Sequence, residues 1–109
     1  MSGKPTTGLV VDDLPEARNW LCDALRHAFP GIDVREADSL ESARSALTRA
    51  PDWRPEIALI DLGLPDGSGT DLITQLRALD PNIVTVVTTI FDDDSHLFGA
   101  LKVGPTATF

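Results

Sequence analysis

Three aspartates stand directly after short apolar runs, where carboxylates can do chemistry. Asp12 and Asp13 follow the run at residues 8–11, and Asp61 follows the run at residues 57–60. Runs of this kind are typical of buried strands in a parallel sheet. Ligands of such sheets bind at the carboxyl ends of the strands. If the two strands are neighbours, three carboxylates converge in one crevice.

The chemistry of such a crevice follows from its charge. Converging carboxylates repel one another, so a cation or bound protons must offset them. Oxygen ligands with room for water and phosphate oxygens suit Mg²⁺. A carboxylate beside Mg²⁺ can act as a nucleophile toward phosphorus, and the metal offsets charge on the phosphoryl oxygens. The hydroxyl of Thr88 or Thr89, at the end of a later apolar run, can complete the site. The three aspartates therefore predict a metal-assisted site at which a carboxylate could accept a phosphoryl group.

The same residues have simpler interpretations. Asp12 and Asp13 are also good helix N-caps, and Asp61 precedes a turn that contains Gly63. The pairing of Asp12 and Asp13 with Asp61 at another strand end favours the site over the cap, and the apolar run directly before Asp61 favours the site over the turn. His27 and His96 have no ligand partners at metal spacing.

Apolar strands alternate with helical patterns along the whole chain. Continuous apolar strands that alternate with helices imply a parallel sheet covered on both faces. The predicted strands are residues 8–11, 32–37, 57–60, 83–88 and 106–109, and the predicted helices are residues 14–28, 39–50, 72–79 and 91–102.

Composition limits the function classes. The 109 residues favour one domain. With 17 acidic and 9 basic residues the net charge is −8, which argues against direct nucleic-acid binding. No apolar run approaches the ~18 residues of a membrane span, and the first residues lack the apolar core of a signal peptide. We expect a cytoplasmic location, no membrane partner and a buried, unpaired Cys22.

Taken together, these segments resemble the response-regulator receiver domains of two-component signalling. The resemblance covers nearly the whole chain from Gly8, and its specificity lies in the combination of segments. It implies the CheY-like, flavodoxin-like fold, an α/β doubly wound sheet of five parallel strands in the order 2-1-3-4-5. The matching segments are residues 10–13 (Val-Val-Asp-Asp), 60–69 (Ile-Asp-Leu-Gly-Leu-Pro-Asp-Gly-Ser-Gly), 86–94 (Val-Val-Thr-Thr-Ile-Phe-Asp-Asp-Asp) and 100–104 (Ala-Leu-Lys-Val-Gly).

The resemblance also implies roles for individual residues. Asp61 would accept the phosphoryl group from the phosphohistidine of a sensor histidine kinase. Asp13 would bind Mg²⁺ directly, Asp12 through water, and the carbonyl of Gly63 would be a further ligand beside Asp61. Thr89 aligns with the switch threonine, whose hydroxyl bonds the phosphoryl oxygen. Such a chain is phosphorylated on its own aspartate and is not a multiple-turnover enzyme.

A further similarity concerns the output of the family. Residues 90–96 are similar to receivers joined to helix-turn-helix domains, so DNA would be reached only through such an output domain.

The final segment departs from the family pattern, which reads Gly-Ala-x-Gly-Tyr-Leu-x-Lys. Here Thr108 stands at the aromatic switch position, and the position of the phosphate-binding lysine lies beyond Phe109. Lys102 is no replacement, because it is predicted in the last turn of the fourth helix. The final helix of the architecture is also missing. We expect residues 1–109 to be a C-terminally truncated receiver domain. Apolar side chains of its first and third strands would meet water and promote instability, self-association or homodimer formation through that uncovered sheet face.

Other functions fit less well. A degenerate receiver that binds partners without phosphorylation is favoured by the missing lysine and opposed by the three acids. An aspartyl-phosphate phosphatase would need a second acid where Gly63 stands. A dinucleotide site needs glycines in the turn at residues 12–15, and a P-loop needs Gly-Lys-Ser/Thr. An EF-hand needs oxygen ligands where Gly63 and Pro65 stand.

Overall fold

The structure is a computed structural model, and it describes residues 4–88, 101–104 and 107–108. None of the described helices is long and apolar enough to cross a membrane. The elements in chain order are β1 (Thr7–Val11), α1 (Pro15–Ala28), β2 (Asp33–Ala37), α2 (Leu40–Arg49), β3 (Ile57–Asp61), β4 (Gly63–Leu64), β5 (Gly67–Ser68), α3 (Gly69–Leu79), β6 (Val84–Thr88), β7 (Leu101–Gly104) and β8 (Ala107–Thr108).

The central sheet has the strand order β2-β1-β3-β6-β7-β8. Its first four strands are mutually parallel, and the helices that connect them are α1, α2 and α3. β6 corresponds to the fourth predicted strand, so the observed order β2-β1-β3-β6 is the predicted order 2-1-3-4. The flavodoxin-like class predicted from the sequence is therefore confirmed.

The far edge of the sheet differs from the prediction. β7 pairs antiparallel with β6, and Lys102 lies opposite Val87. The prediction of Lys102 in the last turn of a helix is therefore wrong, and the part of that helix at residues 91–100 lies outside the described residues. β8 in turn pairs antiparallel with β7. The physical reason is that Gly-Pro can either end a helix or separate two paired strands, and the β-branched Val103 favours a strand.

Side chains of β1 and β3 alternate between two apolar layers, as the pleat of a strand requires. In β1, Leu9 and Val11 pack on the side of α2 and α3, whereas Val10 packs on the side of α1. The first layer also contains Ile60, Leu72 and Leu76, and the second contains Leu21, Cys22, Leu25, Leu59 and Val86. β1, β3 and β6 are thus covered on both faces, which explains why their sequences are largely apolar. The edge strand β2 is only partly buried, and its sequence Asp-Val-Arg-Glu-Ala is not an apolar run.

The sheet face beside α1 is better covered than the sequence predicts. Val10 is fully buried and Leu59 is 7% exposed, so the expectation that they would meet water is wrong. Their cover comes from α1, which packs Leu21 and Leu25 into the same cluster. Val84, the first residue of β6, remains 44% exposed.

Cys22 lies in the layer beneath α1, as expected of a small apolar side chain. It is 1% exposed and forms no disulfide. Burial raises the pKa of its thiol to about 11. The thiol is therefore protonated at neutral pH, and it acts as a packing group of the core.

Candidate functional site

The sheet topology brings the three aspartates to one point. β1 and β3 are neighbours, and Val11 lies opposite Ile60, so the residues that follow both strands meet at the same edge. One carboxylate oxygen from each of Asp12, Asp13 and Asp61 lies within 4.8 Å of the other two. Asp12 is buried, Asp61 half-buried and Asp13 exposed. The cluster is thus an acidic crevice with one side in contact with solvent.

Two of these carboxyls have raised pKa values. Burial raises the pKa of Asp12, and the nearby charges of Asp61 and Asp13 add to the increase, while a hydrogen bond from the Leu14 N–H opposes it. Burial also raises the pKa of Asp61, with a smaller contribution from Asp13 and opposition from the N–H of Gly63. The fold therefore places acidic groups where their ionised forms need a positive partner.

The capping interpretation of the first two aspartates is wrong. Helix α1 begins at Pro15, and its N-cap residue is Leu14, whose side chain makes no capping bond. The Asp12 carboxylate instead accepts a 2.9 Å hydrogen bond from the Leu14 N–H. This bond fixes the carboxylate at the end of β1, while the proline starts the helix because it needs no hydrogen-bond acceptor.

An arginine that sequence reasoning missed lies beside the crevice. The guanidinium of Arg18 donates a 2.9 Å bond to the Asp12 carbonyl and a 3.1 Å bond to the Glu36 carboxylate. Its charge lowers the pKa of Asp12, against the larger effect of burial. No sequence motif identifies Arg18, because one of its partners is a backbone oxygen and the other is the Glu36 carboxylate on β2.

The loop after β3 is fixed at both of its ends against Asp61 and Leu62. The Gly63 N–H donates a 3.1 Å bond to Oδ1 of Asp61, and the Gly69 N–H donates a 3.1 Å bond to the Leu62 carbonyl. A β-carbon at Gly69 would overlap the carbonyl oxygen of Asp61. Glycine there lets α3 begin directly against the end of β3.

One of the two candidate hydroxyls lies next to the crevice. Thr88 is opposite Asp61 in the β3–β6 register, and it is 2% exposed. Among the described residues its hydroxyl oxygen has no hydrogen-bond partner. Thr89, which the family pattern favours as the switch residue, lies outside the described residues, so its role remains a prediction.

A second residue that sequence reasoning missed is Asp66, in the turn between β4 and β5. Its carboxylate accepts hydrogen bonds from the N–H groups of Leu40 (2.8 Å) and Glu41 (3.0 Å) at the start of α2. These two bonds lower the pKa of Asp66. The sequence marks residues 64–69 as a turn but gives no signal that joins this turn to a helix more than 20 residues earlier.

Comparison with protein families gives one match over most of the chain. The model of the response regulator receiver domain matches residues 9–108. A probable transcriptional regulatory protein TcrX of Mycobacterium tuberculosis is 33% identical over 102 residues, which are 94% of this chain and 42% of that protein. The DNA-binding transcriptional activator DevR/DosR of the same organism is 33% identical over 87% of this chain and 42% of its own length. The chain thus spans less than half the length of these two relatives.

Solved structures agree with the family match. A response regulator receiver protein from Pseudomonas putida has a TM-score of 0.63 and 30% identity, over 90% of this chain and 78% of that chain. A response regulator from Burkholderia pseudomallei has a TM-score of 0.64 and 29% identity, over 83% of this chain and 50% of that chain. The latter structure contains a phosphorylated aspartic acid and a calcium ion.

Proposed function

Because this chain belongs to the family of response regulator receiver domains of two-component systems, we propose that it accepts a phosphoryl group on Asp61. The observation that carries the proposal is the convergence of the Asp12, Asp13 and Asp61 carboxylates within 4.8 Å at the ends of two adjacent strands. Asp61 is the member that the family pattern assigns as acceptor, and its carboxylate is half-buried beside the other two.

The donor set fits a divalent cation of the Mg²⁺ type. All its candidate ligands are oxygens: the carboxylates of Asp12, Asp13 and Asp61 and the backbone carbonyl of Gly63. The raised pKa values of Asp12 and Asp61 support the fit, because a cation would favour their ionised forms. When bound, Mg²⁺ would offset negative charge on the phosphoryl oxygens.

The protein groups have separate tasks in the proposed transfer. A carboxylate oxygen of Asp61 attacks the phosphorus of a phosphohistidine, the P–O bond forms, and the P–N bond breaks with its electron pair going to the histidine. The Gly63 N–H holds the Asp61 carboxylate in orientation through Oδ1. The hydroxyl of Thr89 then bonds a phosphoryl oxygen. Each chain takes up one phosphoryl group, so the reaction is stoichiometric and not a multiple-turnover catalysis.

The proposed partners follow from the same assignment. A sensor histidine kinase supplies the phosphoryl group, and the cytoplasm is the proposed location. DNA is reached only through an output domain, because a net charge of −8 does not suit direct contact with phosphates. Two copies would associate through the part of the sheet face where Val84 is exposed.

The acceptor is tested by incubation with acetyl phosphate and Mg²⁺, followed by intact mass spectrometry. We expect the wild-type chain to gain one phosphoryl group, and Asp61→Asn to gain none because the nucleophilic oxygen is lost. Removal of Mg²⁺ by a chelator should abolish the gain. Asp71→Asn is the matched control, since Asp71 is an exposed aspartate in the first turn of α3, and it should be phosphorylated like wild type.

Two outcomes would contradict this assignment. A folded wild-type chain that gains no phosphoryl group would favour a degenerate receiver that binds partners without phosphorylation. Release of many equivalents of free phosphate per chain would favour a phosphatase.

A further inference from the structure

The loop that follows the acceptor aspartate is anchored to a distant helix by one side chain. Asp66 uses both carboxylate oxygens: Oδ1 accepts from the Leu40 N–H at 2.8 Å, and Oδ2 accepts from the Glu41 N–H at 3.0 Å. N–H groups in the first turn of a helix have no acceptor within the helix. Charge-assisted bonds to a carboxylate satisfy them, and they are stronger than bonds between neutral groups.

A second contact joins the same two segments. Gly67 has a φ of 150°, in the region that favours glycine. A β-carbon there would lie 2.7 Å from Cδ1 of Leu40. The turn and the start of α2 therefore approach each other closely, and the approach brings the Asp66 carboxylate within reach of the helix N–H groups.

The anchored loop is the one that carries Gly63. Gly63 and Leu64 form β4, which pairs with Gly67 and Ser68 of β5 on the other side of the Asp66 turn. A movement of the turn would therefore shift Gly63, because the two segments are paired. The N–H of Gly63 holds Oδ1 of Asp61, and its carbonyl is a proposed metal ligand.

We propose that Asp66 is a positioning residue for the acidic site: its bridge to the start of α2 fixes the loop that presents Gly63 to Asp61 and to the bound cation. This inference rests on the proposed metal-dependent function. Asp66 touches neither the phosphoryl group nor the metal in this assignment. It acts through the β4–β5 pairing, as outer groups do when they orient the ligands of a metal.

A simpler role for Asp66 would be to cap α2, and the chain offers a control that separates the two roles. Ser39 also caps α2: its hydroxyl accepts a 3.0 Å bond from the Ser42 N–H. Ser39 has no hydrogen bond to residues 62–69 among the contacts of the described chain. Ser39→Ala therefore weakens the helix start without releasing the loop.

The test compares Asp66→Ala with Ser39→Ala and wild type in the full chain. Mg²⁺ binding is measured by isothermal titration calorimetry, and hydrogen exchange of the Gly63 amide by NMR. We expect Asp66→Ala to raise the Mg²⁺ dissociation constant about 3–10-fold, somewhat less than the loss of a group that contacts a ligand directly, and to speed exchange at Gly63. Asp66→Asn, which keeps one acceptor oxygen, should lie between Asp66→Ala and wild type. Ser39→Ala should lower the thermal midpoint with little change in the dissociation constant.

The outcomes separate this inference from the proposed function. If wild type binds Mg²⁺ but gains no phosphoryl group, the acceptor assignment fails and the dissociation constants still decide the role of Asp66. If wild type does not bind Mg²⁺, the metal assignment fails and Gly63 exchange decides whether Asp66 holds the loop. Equal dissociation constants and equal Gly63 exchange in Asp66→Ala and wild type would overturn the inference. An equal change in Ser39→Ala would reduce Asp66 to a helix cap.

Discussion

When no cation is bound, ionisation of the Asp12 and Asp61 carboxyls lowers the stability of the folded chain. Burial, with help from neighbouring acids, raises both pKa values above the ordinary value of 3.8. The folded chain then binds protons more tightly than the unfolded chain, so stability falls as the pH rises from about 3.8 through the raised values. The protonated carboxyls therefore favour the folded state only at low pH. At neutral pH, a bound cation would offset the charge of the ionised carboxylates and so recover the lost stability.

A substitution at Asp61 should reveal how much stability the ionised carboxylate removes. In metal-free buffer at pH 7, Asp61→Asn should raise the thermal midpoint by about 2–4 °C, because it removes a half-buried charge beside other acids. The gain should shrink as the pH is lowered through the raised pKa of the wild-type carboxyl, because the carboxyl then becomes protonated. Thermal unfolding followed by circular dichroism at several pH values measures both effects. An Asn variant that is less stable than wild type at pH 7 without metal would contradict the account.

The control for this prediction is Asp71→Asn. It removes the same charge from an exposed position in α3, so it should change the midpoint little at either pH. Added Mg²⁺ should stabilise wild type and Asp71→Asn more than Asp61→Asn, because binding to the folded state alone adds to stability.

The sequence foresaw some of these residues and not others, for a physical reason. Asp12, Asp13 and Asp61 were predictable because each follows its own buried strand, and the ends of parallel strands lie at one edge. Arg18 and Asp66 were not, because their partners are backbone groups and, for Arg18, also a carboxylate on β2, all of which the fold brings near. Such contacts leave no residue pattern in the sequence.

At the scale of elements, the site depends on how closely α3 begins against β3. Gly69 is the first residue of α3, and it leaves no room for a side chain beside the Asp61 carbonyl. Backbone atoms on both sides of this contact cannot move without shifting the strand or the helix. The contact therefore ties the position of Asp61 to the start of the helix.

Gly69→Ala should break this contact. Alanine favours a helix more than glycine, so any loss must come from the overlap with the strand. We expect a loss of about 1–3 kcal/mol in the free energy of unfolding, as for overpacked interiors, together with a lower rate of phosphorylation. Urea unfolding gives the first value and the acetyl phosphate assay the second.

Gly63→Ala serves as the matched control for stability. Its added β-carbon would lie 4.0 Å from Oδ1 of Asp61, an ordinary contact distance. The free energy of unfolding should change by less than about 0.5 kcal/mol. Equal losses for the two variants would show that the close approach at Gly69 is not what limits substitution.

Helices α1, α2 and α3 and strands β1, β3 and β6 were predictable from apolar periodicity, whereas the two-residue strands β4 and β5 and the far edge of the sheet were not. The three helices carry apolar residues at helical spacing, and β1, β3 and β6 are largely apolar, whereas β2 includes three charged residues. At residues 101–104 the signal was a short apolar stretch before Gly-Pro, which suits a helix end and a strand end equally. Pairing with β6 decides the outcome there, and pairing is not a local property.

At the scale of the whole molecule, the two apolar layers bury almost all the large strand residues. The layer beneath α1 includes Val10, Leu59 and Val86, all at 7% exposure or less. Among the strand residues whose exposure the structure describes, Val84 is the one large apolar side chain that is exposed, at 44%. An association of two copies through this face thus has a small apolar surface to use, and the net charge of −8 on each copy opposes it.

Because this apolar surface is small, we expect the association of two copies to be weak. Light scattering on the wild-type chain should show a dimer fraction that grows with protein concentration and with salt, because salt screens the repulsion. Val84→Lys should reduce the dimer fraction. Leu79→Lys is the control, since Leu79 is also 44% exposed but lies on α3, against the opposite layer. A monomer at all concentrations would contradict self-association.

The single cysteine has a practical consequence for spectroscopy. Cys22 is 1% exposed and its thiol pKa is about 11, so maleimide reagents at neutral pH should leave it unmodified while the chain is folded. A cysteine introduced on the surface, for example at Thr48 or Thr74, can then carry a fluorophore or spin label without removal of the native thiol. Labels on α2 and α3 would report the distance between these helices before and after phosphorylation.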